Sequence, residues 1–497
     1  PALTNRICGV CPEAHHMAAA KAADAVYNVA VPRTGRLLRE LLYNAFYVTD
    51  HATHFYVLSG PDLIMGPDAP KAERNILGVV KKVGADAVYG VTPPRAGRML
   101  RELLYNAFYV TDHATHFYVL SGPDLIMGPD APKAERNILG VVKKVGAEVG
   151  GKVIEARKAG HRVIEIIGGR RIHPCTGVPG GMTKAISDEE RDEIKGLADY
   201  MVEFAAFSLD LFDSMLEQEE IAEIVHGDLY RHETYYSGLV DAEGKVTFYD
   251  GNVRIVDPEG NLYGSYEPKD YRDWIDEKVV PWTFLKFPYL RNVGWKGLVD
   301  GKDSGIYTVA PLGRLNAASG MATPKAQEAY EKYFATLSPD GTPVHSRGAT
   351  HWARLIEMMQ AAETVQQLVA DPDITSKDVR AVPTETPTEG VGIVEAPRGT
   401  LTHHYWTDEN GIVTRVNLIV GTTNNYGPIA MSVDKAARSL ISKGTVVTDG
   451  LLDRIEMGFR AYDPCFGCAT HTMPGQMPMI VTIRDKDGNA VKELRRD

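Results

Sequence analysis

Long apolar runs are missing from this chain. No stretch of its 497 residues approaches the roughly 18 consecutive apolar positions that a helix needs to cross a bilayer, and its opening lacks the charged, apolar, then small-residue order of a secretion signal. No membrane span is expected, and cytoplasmic residence is the default. A basic excess is missing as well. With a formal charge of -11 the chain has no net cationic field for tracking phosphates, so general nucleic-acid binding is excluded. Cysteine is scarce, at five residues, and thiols this rare are seldom set in pairs without chemistry to do. What is present in quantity is apolar surface. A 44% share over this length supports a substantial core in one large or two to three ordinary domains.

Four of the five cysteines form two Cys-x-x-Cys pairs, Cys8/Cys11 and Cys465/Cys468, at opposite ends of the chain. Thiolates converging from both ends would make a soft-metal site, selecting zinc, iron-sulfur, iron or nickel over magnesium or calcium. A structural zinc site is the bland reading of any double pair. Zinc ribbons, however, join their pairs over roughly 15 to 20 residues, whereas nearly the whole protein separates these. A thioredoxin-like dithiol could account for either pair alone but not for both.

The flanks are more specific. Arg6-Ile-Cys8-Gly-Val-Cys11-Pro-Glu-Ala-His15 and Asp463-Pro-Cys465-Phe-Gly-Cys468-Ala-Thr-His471 resemble the two metal-binding signatures of nickel-iron hydrogenase large subunits. The segments Asp50-His51-Ala-Thr-His54, Arg170-Arg171-Ile-His173-Pro-Cys175 and Pro397-Arg398-Gly399 extend the likeness through most of the chain. The resemblance implies a catalytic subunit that cleaves H2 or reduces protons at a nickel-iron centre whose iron carries carbonyl and cyanide. Cys8 and Cys465 would be terminal nickel ligands, and Cys11 and Cys468 would bridge to iron. Dihydrogen is barely acidic, so a Lewis-acidic metal pair and a nearby base are both needed.

Two bases are implied, the Cys465 thiolate and the Arg398 guanidinium, the latter also able to act as an electrostatic clamp. Asp463 and Asp50 would hold Arg398 through charge-assisted hydrogen bonds. His15 would donate to a bridging sulfur, and Pro397, Thr422 and Thr423 would line the site, the threonines as donors to cyanide. Simpler readings stand beside these: a surface Pro-Arg-Gly turn, Asp463 as a cap, His15 as exposed polarity, and threonines with a purely architectural role. Cys175 is taken as a buried thiol without a ligand role.

Family members end at the histidine of the last motif and carry glutamates upstream of the first. The upstream glutamates therefore fall outside this chain, and residues 472–497 resemble the extension that a maturation protease removes, leaving His471 to bind magnesium. The alternative is a permanent strand tail, because Met479-Ile-Val-Thr-Ile-Arg484 has strand character. Further implied partners are an iron-sulfur small subunit, a heterodisulfide reductase and an electron-transfer subunit, as in soluble F420-non-reducing enzymes that reduce viologen dyes.

Residues 38–85 recur identically as 100–147, within a 62-residue tandem duplication (23–84 and 85–146). Two copies do not make a solenoid. Only one can fill the family's place in the core. The first, with Asp50, lies at the family's spacing from Cys11 and is the expected one; the second, with Asp112, would then be an extruded hairpin.

The expected fold is mainly α (α+β), a large helical core with peripheral β hairpins. Residues 1–223 form a helical N-terminal part, 224–318 a β-rich insertion, 319–471 a helical and β C-terminal part, and 472–497 the extension. A capping box at Ser187/Glu190 opens a long helix with Ile194, Leu197, Met201, Phe204, Ser208 and Leu211 on one face. Hairpins are expected around Asp250-Gly251 and Asn410-Gly411, helices over 324–336 and 350–370, a linker over 371–390, and a final helix over 431–442. Two other functions stay open: a complex I-like subunit without catalysis, which would lack the four cysteines, and a binding protein built on a four-thiolate zinc site.

Overall fold

The protein is described by a computed structural model over residues 91–464, except 133, 170, 172–175, 179, 282, 284, 382–388 and 410–412, and over 479–484 and 489–496. The helical core is built from α1 (Arg95–Thr115), α2 (Ile138–Val145), α3 (Ala147–Gly168), α4 (Asp188–Leu216), α5 (Ala310–Ala317), α6 (Pro324–Leu337) and α7 (Thr350–Ala370). At its centre is α7, which packs on α1, α4, α5 and α6. Its first four turns are buried around the whole circumference, as befits a core helix rather than an amphipathic surface one. Arg354 and Glu357 are buried there as well, and charges so placed must be paired.

The predicted capping box is present. Ser187 Oγ accepts from Glu190 N while the Glu190 carboxylate accepts from Ser187 N, and Ile194, Met201, Phe204 and Ser208 are buried. Leu197 and Leu211 are only half-buried at the edge of the same face.

Two sheets flank the helices. After the two-residue ladder of β1 (Gly177–Val178) and β2 (Gly181–Met182), β3 (Tyr235–Val240), β4 (Asn252–Val256) and β5 (Leu262–Tyr266) form an antiparallel meander. A separate ribbon pairs β6 (Ile275–Val279) with β7 (Lys286–Leu290), and β8 (Tyr307–Thr308) joins β3 in parallel. The second sheet runs β11 (Val413–Ile419), β10 (Gly399–Thr407), β9 (Glu389–Ala396), all antiparallel. Side chains from both sheets, among them Leu239, Val253, Ile255, Tyr307, Ile393 and Ile419, share one apolar cluster. α8 (Tyr426–Leu440) and α9 (Asp449–Arg460) complete this part. β12 (Met479–Arg484) pairs antiparallel with β13 (Ala490–Arg496).

Several expectations need correcting. There is no tight hairpin at Asp250-Gly251: β3 and β4 pair, but residues 241–251 form a long loop between them. Phe248 draws that loop inward by stacking on Tyr109, with ring centroids 4.0 Å apart. Helix α8 begins five residues earlier than expected, and α9 follows it, so 431–442 is not the final helix. The segment expected as a linker contains a 3-10 turn, Pro372–Thr375, and its last two residues open β9. Asn410-Gly411 lies outside the described residues, bracketed by the antiparallel pair β10–β11.

Among the described residues it is the second repeat copy that packs in the core, where the first was expected. The second copy supplies most of α1 and all of α2, with Leu100, Leu103, Ala107, Val110 and Ala114 fully in the core. Chain continuity favours it, because α2 runs into α3 across the single residue Gly146. Residues 38–85 lie outside the described residues.

Candidate active site under the Arg398 turn

The Pro397–Arg398 turn joins β9 to β10, and close backbone packing sets its path. Gly399, at φ +127°, lies so near Val309 that an added Cβ would stand 2.2 Å from its Cγ2. Only glycine takes this conformation without strain. From the other side, the turn Gly421–Asn424 presses on the Arg398 and Gly399 backbone. Asn425 Nδ2 donates to Arg398 O at 3.4 Å while its Oδ1 accepts from Val309 N at 3.0 Å. The turn with Thr422 and Thr423 thus abuts Arg398 through its backbone.

Arg398 is half-buried between two carboxylates. Its Nη2 lies 3.1 Å from Asp463 Oδ2 and 3.3 Å from Asp112 Oδ1. Asp463 has a left-handed backbone, φ +54°, unusual for a residue other than glycine. Its Oδ1 is 3.2 Å from His116 Nδ1 and its Oδ2 is 3.8 Å from Arg354 Nη1. His116 opens a π-helical turn, His116–Leu120, that continues α1, and its Nε2 is 2.8 Å from Ser121 Oγ. Asp112 and His116, at i and i+4, therefore present side chains to one spot.

Beneath this layer lies a second. His113 Nε2 meets Glu357 Oε2 at 3.1 Å, and Arg314 grips Glu357 with two bonds of 2.5 and 2.7 Å. Arg314 Nη1 also reaches Glu395 Oε2 at 2.6 Å and donates to Ala396 O at 2.8 Å. Gly238 leaves room for Arg314, whose Cα would stand 2.7 Å from a Cβ there.

The protonation tendencies follow burial and charge. Burial alone would raise Asp463, but His116, Arg354 and Arg398 outweigh it and hold the carboxyl well below its usual range. At Asp112 burial wins over Arg398, and the carboxyl is raised. Burial lowers His113 and His116 to about 4, so both are neutral near pH 7 and act as hydrogen-bonding groups rather than cations. Burial would raise Glu357 too, yet its bidentate Arg314 and its His113 contact bring it below the usual value. Glu395, with one oxygen on Arg314, stays raised by burial.

The structure thus brings together Pro397, Arg398 and Asp463 of the expected set, with the turn of Thr422 and Thr423 alongside. Cys8, Cys11, His15, Asp50, Cys465, Cys468 and His471 lie outside the described residues, as does Cys175. The carboxylate facing Arg398 is Asp112, where Asp50 was expected, because the second copy occupies the core. Sequence reasoning gave no role to His113, His116, Arg314, Arg354, Glu357 or Glu395. The available signal was Arg354 and Glu357, three apart and flanked by Trp352, Ala353, Leu355, Ile356, Met358 and Met359.

Among the described residues no cluster of three or more His, Cys, Asp or Glu could hold a metal. The donor set that fits one is the four thiols, which suit nickel and iron chemically. Asp463 precedes Cys465 by two residues in the sequence, so the Arg398 clamp is anchored next to the second cysteine pair along the chain. Asp112 Oδ2 is buried there with no hydrogen-bond partner among the described residues.

A family profile described as "Nickel-dependent hydrogenase" matches residues 1–83 and 271–471, its first segment running through the first repeat copy. The chain is 45% identical over 436 residues to an iron-sulfur subunit of the F420-non-reducing hydrogenase from Archaeoglobus profundus, covering 86% of this chain and 89% of that one. It is 32% identical to the beta subunit of the NAD-reducing hydrogenase HoxS from Cupriavidus necator, covering 100% and 89%. Among solved structures, an NAD+-reducing [NiFe]-hydrogenase in the H2-reduced state superposes with a TM-score of 0.72 at 34% identity, over 80% of this chain and 85% of that one.

Proposed function

Because the chain belongs to the nickel-dependent hydrogenase family, we propose that it cleaves H2 heterolytically, or forms it, at a nickel-iron centre held by Cys8, Cys11, Cys465 and Cys468. The observation that carries this is Arg398, held by Asp112 and Asp463 two residues ahead of the second cysteine pair. When bound, the metals supply the Lewis acidity that polarises dihydrogen and accept its electron pair. The protein's own groups handle the proton. Two carboxylates keep Arg398 charged, which favours its action as an electrostatic clamp and leaves the Cys465 thiolate as the proton acceptor. The low-lying Asp463 carboxyl stays ionised and keeps the guanidinium oriented.

Around this centre, Pro397, Thr422 and Thr423 would line the iron side, the threonines as hydrogen-bond donors to cyanide, a role supported by the turn packed against Arg398. His15 would serve as a hydrogen-bond donor to a cysteine sulfur of the centre, and His471 would bind magnesium once a maturation protease removes residues 472–497. The relatives are named as subunits of larger hydrogenases, which supports electron exit through an iron-sulfur small subunit. Further transfer to a heterodisulfide reductase, by way of an electron-transfer subunit, uses the partner set that the sequence resemblance implies. No helix among the described residues is long and apolar enough to cross a membrane, which accords with a cytoplasmic enzyme.

The test is elemental analysis of the purified complex with infrared spectroscopy and dye-linked H2 oxidation. Nickel and iron near one each per catalytic chain, carbonyl and cyanide bands, and a loss of about 10²–10³ in rate for Arg398→Lys are expected. Zinc in place of nickel, with no bands, refutes the proposal.

A further inference from the structure

We infer that Arg354 is a positioning residue for Arg398, cross-linking the two chain segments whose separation sets the Arg398–Asp463 contact; this rests on the reading that Arg398 faces dihydrogen. Arg354 is fully buried on α7. Its Nη2 donates to Ala461 O at 3.3 Å, and its Nη1 approaches Pro397 O at 3.5 Å. Ala461 lies two residues before Asp463, and Pro397 immediately before Arg398. The same Nη1 is 3.8 Å from Asp463 Oδ2, on the carboxylate that Arg398 holds at 3.1 Å. One guanidinium therefore touches the backbone of both segments and the carboxylate between them. Its own position is backed by His113, whose Nδ1 is 3.4 Å from Nη1 and whose other nitrogen is on Glu357.

Charge alone does not explain this arrangement. A planar fork can address carbonyls on two chains together with a carboxylate, whereas an ammonium is a single point charge on a flexible stem. Asp463, in its left-handed conformation, donates its backbone N–H to Arg460 O at 2.9 Å, while its carboxylate is set by His116, Arg354 and Arg398. A small displacement at such a site is costly, since misplacement by about 1 Å can lower a rate by about 10²-fold.

The test uses the metal-loaded complex carrying Arg354→Met, Arg354→Lys, Arg398→Lys or the double change R354M/R398K. R354M is expected to lose about tenfold or more in dye-linked H2 oxidation with nickel and iron content unchanged. R354K, which keeps the cation and serves as the main variant if R354M fails to accumulate, is expected to lose roughly threefold or more. A crystal structure of either variant should show Arg398 farther than 3.1 Å from Asp463. The double variant should be no slower than R398K, because Arg354 acts through Arg398. The inference is overturned by a wild-type rate in R354M or R354K, by an unchanged Arg398–Asp463 distance, or by fully multiplicative losses in the double variant. A wild-type rate in R398K would instead sink the reading of Arg398 itself, and this inference with it.

Discussion

Replacing Arg314 with methionine removes the cation that joins Glu357 and Glu395 in the fully buried layer beneath the site. Methionine keeps most of the side-chain volume, so the loss is chiefly electrostatic. Breaking a buried pair by deleting one partner costs about 3–5 kcal/mol. Here two carboxylates lose their partner, but the remaining contacts limit the damage: Glu357 retains His113, and Glu395 retains Thr400 Oγ1 at 2.8 Å and Leu239 N at 3.0 Å. Glu395 is already raised by burial and can accept a proton without Arg314. Residues 83–465 form one compact unit, and at about 2.1 cal/mol/K per residue its unfolding entropy is about 0.8 kcal/mol/K. Scanning calorimetry at pH 7 should therefore show the transition lowered by about 4–6 °C.

The pH dependence gives the sign. The folded Glu357 carboxyl lies below its unfolded value, so its contribution is present above the unfolded pKa and lost as pH falls through the folded one. Arg314→Met removes that contribution, so the deficit should be greatest near neutrality and shrink on acidification. Adding Glu395→Gln should recover about 1–2 kcal/mol by removing an orphaned charge. A drop below about 1 °C at pH 7, or a deficit that grows in acid, would refute the reasoning.

Asp112→Asn should lower H2 oxidation by about 10²-fold while Asp50→Asn leaves it within about twofold; the reverse result in the same dye assay would put the first repeat copy in the core. Asp124 pairs with Arg460 on α9 through two bonds of 2.6 and 3.0 Å, yet burial raises its carboxyl to about 6. Its contribution to stability is therefore full below its unfolded value near 3.8 and is lost as pH rises through about 6. Relative to Asp124→Asn, the wild type should lose about 2 kcal/mol between pH 4 and 7 in thermal unfolding, and a gain over that range would contradict the assignment. Gly399→Ala places a Cβ 2.2 Å from Val309 Cγ2; a thermal midpoint within about 1 °C of wild type would show that the turn yields more readily than its packing implies.

The paired cysteines with their flanks, the capping box at Ser187 and the apolar 350–370 stretch are legible in the chain because each is local. Spacing along a few residues states ligand chemistry, helix entry or burial without reference to anything distant. The clamp is different. Asp112, His116, Arg354, Arg398 and Asp463 are spread over some 350 positions, and each alone reads as ordinary polarity.

Which of two identical copies faces Arg398 cannot be decided by composition or by motif, since they share every residue from 38 to 85. That choice follows from chain continuity and packing, with α2 leading directly into α3 and α1 seated on α7. Likewise, Phe248 leaves a plausible hairpin only because Tyr109 waits on a helix far away in sequence. The amino-acid order by itself indicated which ligand chemistry the chain can carry and, at Ser187, where a long helix starts. Tertiary structure decided which charges meet, because buried ions are tolerated only where distant partners converge on them.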